Sequence, residues 1–447
     1  MTTLLLVQTA AEQLARAREG LDTPFLARMM GLVGIATMLA IAWAMSYNRR
    51  GIRWGMVGAG VALQMVLGFI VLKTPLGRQM FIIANAVVLK LLSFQEAGAR
   101  FIFGNLVQNE IQVSGGAGVV QTFTGFAFNV LPTIIFFSAL MSVLYYMNVM
   151  QWIVKGIAWV MQKTLHTSGA ETLSAAGNIF LGQTEAPLLI KPFIGKATKS
   201  ELMTIMVGGF ATVAGGVMAA YVAMLSRHFP DIAGHLLTAS VMNAPAGLVL
   251  SKMILPETEV PVTRDSLSID VEKTEANVIE AAAGGAAVGV QLAINVAAML
   301  MAFIGLIALL NYGVSWIGGL FGAANLSLQV IFGVVLKPLA WVMGVPWADA
   351  GAVGSYIGVK TVLNEFVAYS TFADQLSGGL VMSPRAAIIT TYALLGFANF
   401  SSIAIQIAGI GGLAPERRGD LARLGLRAMI GGNLAAFMSA SIAGMLV

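Results

Sequence analysis

Cysteine is absent from this chain of 447 residues, which excludes disulfides, thiolate metal sites and cysteine catalysis. Charge is scarce: Asp, Glu, Lys and Arg make up 11% of the residues, against about 25% in a soluble domain. Histidine occurs three times, at His166, His228 and His235, and no pair has metal-ligand spacing. No Walker-type phosphate loop, HExxH pair or nucleophile elbow occurs, so ATP-driven work and zinc or serine hydrolysis find no apparatus. The basic excess of +5 forms no stripe of the kind nucleic acid needs and fits basic cytoplasmic loops. Leu4 to Val7 is too short an apolar run for the core of a signal peptide. The polar stretch 9–20, with Arg16 and Arg18, reads as an interfacial amphipathic helix.

What fills the chain is hydrocarbon. It is 57% hydrophobic, with a mean hydropathy of +0.82. Apolar windows of roughly 20 residues recur at 28–47, 54–73, 125–149, 201–226, 232–254, 284–311, 385–411 and 426–447. This predicts an all-α, polytopic membrane protein of eight spanning helices. Glycine, with 50 residues and no collagen-like period, suits close helix packing and broken helices. Two further stretches, 79–93 and 326–343, are shorter or carry Lys and predict interfacial helices. Two more, 172–194 and 348–376, are interrupted near their middles.

Loop charge sets the orientation. Arg49, Arg50 and Arg53; Lys191, Lys196 and Lys199; and Arg417, Arg418, Arg423 and Arg427 form three basic clusters that the positive-inside rule places in the cytoplasm. Both termini then fall outside, provided the interrupted stretches dip in without crossing, and the polar loop Pro256–Glu275 becomes a plain cytoplasmic connector. Arg16, Arg18 and Arg28 would lie outside, against the rule.

The interrupted stretches resemble each other. In the first, a half-helix is expected to end at Gly182-Gln183 and another to begin at Thr184-Glu185; in the second, the break falls between Leu363 and Asn364-Glu365-Phe366. Thr184 and Asn364 suit N-caps, each with Glu following in the first turn. Halves of about 10–15 residues are too short to span, so each predicts a hairpin that enters and leaves on one side. After each comes a helix with an irregular middle: Gly208-Gly209-Phe210-Ala211-Thr212-Val213-Ala214-Gly215-Gly216, then Phe397-Ala398-Asn399-Phe400-Ser401-Ser402. Irregular backbone in a membrane survives where protein or a watery cavity satisfies it, and matched broken elements in two halves point to a transporter's midplane site. The charge-based topology puts the hairpins on opposite sides, which makes the repeat inverted.

Glu185 and Glu365 stand out because each sits at the centre of an apolar stretch, where an ionised side chain costs at least ~2.5–3.5 kcal/mol. Two carboxylates near one cavity disfavour an anionic guest and favour a cation or a hydroxyl-rich solute, since a carboxylate accepts a vicinal diol well. Gln183 and Asn399 each offer a donor and an acceptor. Phe397 suits packing on a ring, and Ser402 shares a helix face with Asn399. These residues argue for a neutral polar solute with hydroxyls, either a sugar or a nucleoside. Elsewhere, Lys360 reads as a snorkelling or structurally paired lysine, Arg385 as an interfacial anchor and Glu171 as an exposed helix cap. Gln291 and Asn295 suit interhelical hydrogen bonding. Trp152, Trp159, Trp341 and Trp347 suit a membrane boundary.

Gly182-Gln183-Thr184-Glu185-Ala186-Pro187 with Pro192-Phe193, then Asn364-Glu365-Phe366-Val367-Ala368-Tyr369, then Phe397-Ala398-Asn399-Phe400-Ser401-Ser402-Ile403, resemble in order and spacing the signature blocks of the concentrative nucleoside transporter family. The resemblance is specific over 165–415. It implies a homotrimer in the bacterial inner membrane, each protomer having eight transmembrane helices and two re-entrant hairpins in an inverted repeat. It implies sodium-driven import of nucleosides of the uridine, cytidine and adenosine class, with proton coupling as the alternative, and no catalytic residue. By this resemblance Gln183, Thr184 and Glu185 contact the nucleobase, with Val217 lining it; Glu365, Asn399 and Ser402 hold the ribose hydroxyls; and Phe397 packs near the base. The implied sodium site comprises Asn178, Leu181, Thr212 and Val213, largely through backbone carbonyls. Four regions follow. Residues 1–164 hold the N-terminal interfacial helix, peripheral helices 1 and 2 and scaffold helix 3, and 165–255 the first repeat. Residues 256–344 hold the loop, scaffold helix 6 and an interfacial helix, and 345–447 the second repeat.

Overall fold

The computed structural model describes residues 23–107, 111–115, 119–123, 126–264, 275–323 and 325–447. The interfacial helix expected at 9–20 lies outside them. Three long helices come first: α1 (Phe25–Ala44), α2 (Trp54–Lys73) and α3 (Pro75–Phe103). Pro75 opens α3 where its missing N–H costs nothing, and Thr74 Oγ1 accepts from Gly77 N at 3.0 Å. With no breaker before Gly104, the stretch 79–93 is part of one 29-residue helix and not the short element expected.

Beyond α3 lies a feature the sequence reading missed. β1 (Ile111–Gly115) and β2 (Val119–Phe123) pair antiparallel, with Ile111 opposite Phe123 and Gly115 opposite Val119. β-Branched residues on both sides of a glycine-rich stretch of sequence are a hairpin signal. All other regular structure among the described residues is helical.

α4 (Leu131–Tyr146) and the amphipathic α5 (Val149–Leu165) lead to the first helical hairpin. Its first arm is α6 (Gly169–Gly177), its second a 3-10 stretch, Ala186–Ile190, running into a single α-turn at Lys191–Ile194. α7 (Lys199–Ala211), α8 (Gly215–Leu225) and α9 (Ile232–Ile254) complete the first repeat. α10 (Val278–Leu320) and α11 (Leu328–Val342) follow. The second repeat comprises α12 (Ala350–Val362), α13 (Glu365–Ser377), α14 (Pro384–Leu394), α15 (Phe400–Leu413) and α16 (Arg418–Leu446).

Among the described residues, eight helical stretches are long and apolar enough to cross a membrane, one of them the broken pair α7–α8; seven match the expected windows, and the eighth is α3. The expected window 385–411 is instead the broken pair α14 and α15.

Burial sorts these elements into two groups. The stretches across α7–α8 and α9 are 89% buried, and that of α16 is 83% buried, whereas those of α1, α2, α3, α4 and α10 are 22–28% buried. The second repeat's hairpin and broken helix share the interior, where one contiguous apolar core runs from α1 to α16. α4 and α10 form a tight pair beside it. A Cβ at Gly289 would stand 2.7 Å from Ile135 Cα, so the small residue is what lets the two backbones touch.

Candidate substrate and cation site

The two broken helices cross at their breaks. Gly396, at φ +119°, is left-handed where α14 ends, and a Cβ there would lie 2.6 Å from the Phe210 carbonyl, so only glycine fits. Phe397 N–H donates to Thr212 O at 3.2 Å, joining one break to the other. Each break is also served by an asparagine from the helix that closes its repeat. Asn243 on α9 donates to Ala211 O at 2.6 Å, and Asn433 on α16 donates to Ala398 O at 2.9 Å. The matched pair is the repeat written in hydrogen bonds. It satisfies carbonyls that an interrupted helix leaves without partners.

Both hairpin tips reach the N-terminus of α15. Asn399 is its N-cap: Oδ1 accepts from Ser402 N–H at 2.9 Å and Ser401 Oγ at 2.7 Å. Its Nδ2 donates to Glu365 Oε2 at 3.0 Å, while Tyr221 on α8 donates to Glu365 Oε1 at 2.9 Å. Glu365 opens α13 behind the N-cap Asn364, whose Oδ1 accepts from Val367 N–H at 2.8 Å, as the sequence predicts. From the other hairpin, Gln183 donates to Ser402 Oγ at 3.2 Å and accepts from Gln406 Nε2 at 3.1 Å. Glu365, Asn399, Ser402 and Gln183 are thus one hydrogen-bonded chain, all buried, at the positive end of a helix dipole.

Val217 is buried one turn before Tyr221 on the same face of α8, and Phe397 sits half-buried in the break itself. Sequence reasoning missed Tyr221 and Gln406. A lone hydroxyl and a lone amide inside apolar helices were the available signals.

The first hairpin departs from expectation at its tip. α6 stops at Gly177, and Thr184 caps nothing; it packs its methyl near Gly409 on α15. Pro187 tightens the second arm into a 3-10 helix from Ala186. Glu185, half-buried, turns its carboxylate back to accept from Gly182 N–H at 3.1 Å, fixing the turn. The hairpins therefore meet through Gln183 and Glu365, with Glu185 facing its own loop.

The residues implied for an alkali cation gather at the C-terminal end of α7. Asn178 caps α6, is wholly buried, and has no partner for either side-chain polar atom; Ser174 Oγ is in the same state. A Cβ at Gly208, in the last turn of α7, would lie 3.2 Å from Asn178 Nδ2. Thr212 and Val213 are buried in the break beside it, with Thr212 Oγ1 donating back to Gly208 O at 2.9 Å; Leu181 is half-buried at the hairpin tip. An unpartnered amide oxygen at the negative end of a half-helix suits a hard monovalent cation.

Several other residues sit differently from expectation. Lys360 takes the second of its two expected roles, structural pairing and not snorkelling: it is wholly buried, and its Nζ donates to Ala393 O at 3.0 Å and Leu395 O at 3.3 Å. Arg385 is no surface anchor; buried, it donates to Gly344 O at 2.8 Å and Ala27 O at 2.9 Å, tying α14 to α1. Glu171 caps α6 as expected but is buried, ion-paired with Lys252 and accepting from Thr204 Oγ1. The loop 256–264 is more than a connector: Thr263 accepts from Gly169 and Ala170 N–H at the start of α6, and Glu257 pairs with Lys252 at 3.2 Å. Gln291 donates to Asn295 at 3.0 Å within α10 and not across helices. Trp152, Trp159, Trp341 and Trp347 are exposed.

Comparison with known proteins places the chain in a family. Residues 33–106 and 235–444 match the N- and C-terminal models of the Na+ dependent nucleoside transporters, and residues 127–227 match a nucleoside recognition domain. A transporter of Haemophilus influenzae is 46% identical, over 94% of this chain and 98% of its own. A nucleoside permease of Helicobacter pylori is 42% identical, over 94% of this chain and 98% of its own. The structure of CNTnw in an inward-facing, substrate-bound state superposes with a TM-score of 0.85 at 44% identity, covering 94% of this chain and 98% of that one. These relatives are carriers and permeases, not enzymes, and the chain belongs to the concentrative nucleoside transporter family.

Proposed function

We infer that the chain imports nucleosides of the uridine, cytidine and adenosine class on a sodium gradient, by alternating access. The observation that carries this reading is the junction at the N-terminus of α15, where Gln183 of one hairpin and Glu365 of the other join one hydrogen-bonded chain. Each carboxylate oxygen of Glu365 has one protein donor and keeps lone-pair capacity for a ribose hydroxyl. Asn399 and Ser402 sit beside it for the same sugar. Gln183 and Thr184 present donors and acceptors to the base, and Glu185, bonded back to Gly182, holds the turn that carries them; Val217 and Phe397 are the apolar walls of the base. Sodium fits at Asn178, Leu181, Thr212 and Val213, where the orphaned Asn178 amide needs a partner. The ion supplies positive charge at the end of α7; the protein supplies the carbonyls and the amide.

In this reading the hairpins are re-entrant, the protein sits in a bacterial inner membrane, and both termini lie outside the cytoplasm. The protomers form a trimer. Gln291 and Asn295 support this last point: they lie exposed in an apolar helix, and in hydrocarbon such amides call for cover by another copy.

Uptake of tritiated uridine into proteoliposomes under separate sodium and proton gradients tests the coupling. Uptake driven by inward sodium is expected. Uptake indifferent to sodium and driven by external acid would transfer the role to protons, with a buried carboxylate as carrier.

A further inference from the structure

Both half-helices that run into the site, α7 and α14, arrive with their C-terminal ends, and each end carries roughly half a negative charge. The first arm of the neighbouring hairpin meets each end, but with different chemistry. At α7 stands Asn178, neutral and unpartnered. At α14 stands Lys360, in the last turn of α12, with its Nζ on Ala393 O and Leu395 O and 5.7 Å from the centre of the Phe437 ring. Its charge also acts on Glu365.

Packing does not call for a lysine here. A methionine fills similar space without the desolvation cost of a wholly buried ammonium. Capping a broken helix does not call for one either, since Asn243 and Asn433 do that with neutral amides. What Lys360 adds is an amine head on the carbonyls at the end of α14, close enough to act on Glu365.

We propose that Lys360 is the resident cation of the second repeat, standing at the end of α14 where a mobile alkali cation stands at the end of α7. The carrier therefore takes one mobile cation per nucleoside, and Lys360 acts as a positioning residue that keeps Glu365 ready for the sugar hydroxyls. The proposal rests on the sodium-coupled reading above.

Two measurements on the full-length protein test it. In proteoliposomes, the ratio of radiolabelled sodium to tritiated uridine taken up by the native protein is expected to be about one; a ratio of two overturns the proposal. In detergent, Lys360→Met is expected to weaken uridine binding at least tenfold and 2′,3′-dideoxyuridine binding less than twofold, with Lys360→Arg restoring uridine to within threefold of native. A parallel loss for both ligands, or no loss for uridine, overturns it. Should Lys360→Met fail to fold, the native ion ratio and the Lys360→Arg binding still decide. Failure of the coupling reading is distinguishable: uptake indifferent to sodium would sink that reading, while the comparison of uridine with dideoxyuridine is made without any gradient.

Discussion

Glu365 is held from two sides, by Tyr221 and Asn399, so its carboxylate is fixed in place for a guest. Hydrogen bonds to a charged group contribute about 1.5–3 kcal/mol, and neutral ones about half that. Glu365→Gln keeps the shape and removes the charge. It is expected to weaken uridine binding by about tenfold or more, since each 1.4 kcal/mol is a factor of ten, with the melting temperature little changed. Tyr221→Phe removes one donor and leaves the carboxylate, so a smaller loss of about three- to tenfold is expected. Calorimetric titration of the purified variants checks the order. A larger loss for Tyr221→Phe than for Glu365→Gln would mean that the tyrosine itself contacts the nucleoside.

At the scale of elements, the repeat depends on carbonyls that its breaks expose. Leaving a buried acceptor unpaired costs about 1–3 kcal/mol. Asn243→Ala and Asn433→Ala are each expected to lower the melting temperature in detergent, and by similar amounts, because each asparagine serves one carbonyl. A fall in only one variant would break the equivalence of the two repeats.

The second hairpin was legible in the sequence down to its cap, because Asn364 followed by Glu365 states an N-terminus locally. The first was legible as a break but not in its turn. Pro187 pulls the second arm into a 3-10 helix, and Thr184 loses the capping role its residue type suggests. Lys360, Arg385 and Glu171 could not be placed from sequence: an isolated charge in an apolar stretch says only that something pays its desolvation. Their partners lie far along the chain, at Ala393, Ala27 and Lys252.

At the scale of the molecule, α4 and α10 form a pair apart from the deeply buried repeats, and α4 is also packed against α8. If the repeats move as a body past a fixed α4–α10 scaffold, the α4–α8 contact must slide while the α4–α10 contact stays. Native cysteine is absent, so introduced pairs report without background. A Cβ at Gly216 on α8 would stand 3.7 Å from Phe137 Cβ on α4, within the span a disulfide bridges. A Cβ at Gly289 on α10 would stand 2.9 Å from Ser138 Cβ on α4, close enough to bridge after a small parting of the helices. Oxidising the doubly substituted Phe137→Cys, Gly216→Cys protein is expected to stop uridine uptake at least tenfold, with recovery on reduction, because a covalent bond holds the sliding surface. Oxidising Ser138→Cys, Gly289→Cys is expected to leave uptake within about twofold of the reduced protein. Full uptake through a cross-linked α4–α8 pair would mean that α4 travels with the repeats, and the fixed element would then have to be sought elsewhere in the fold.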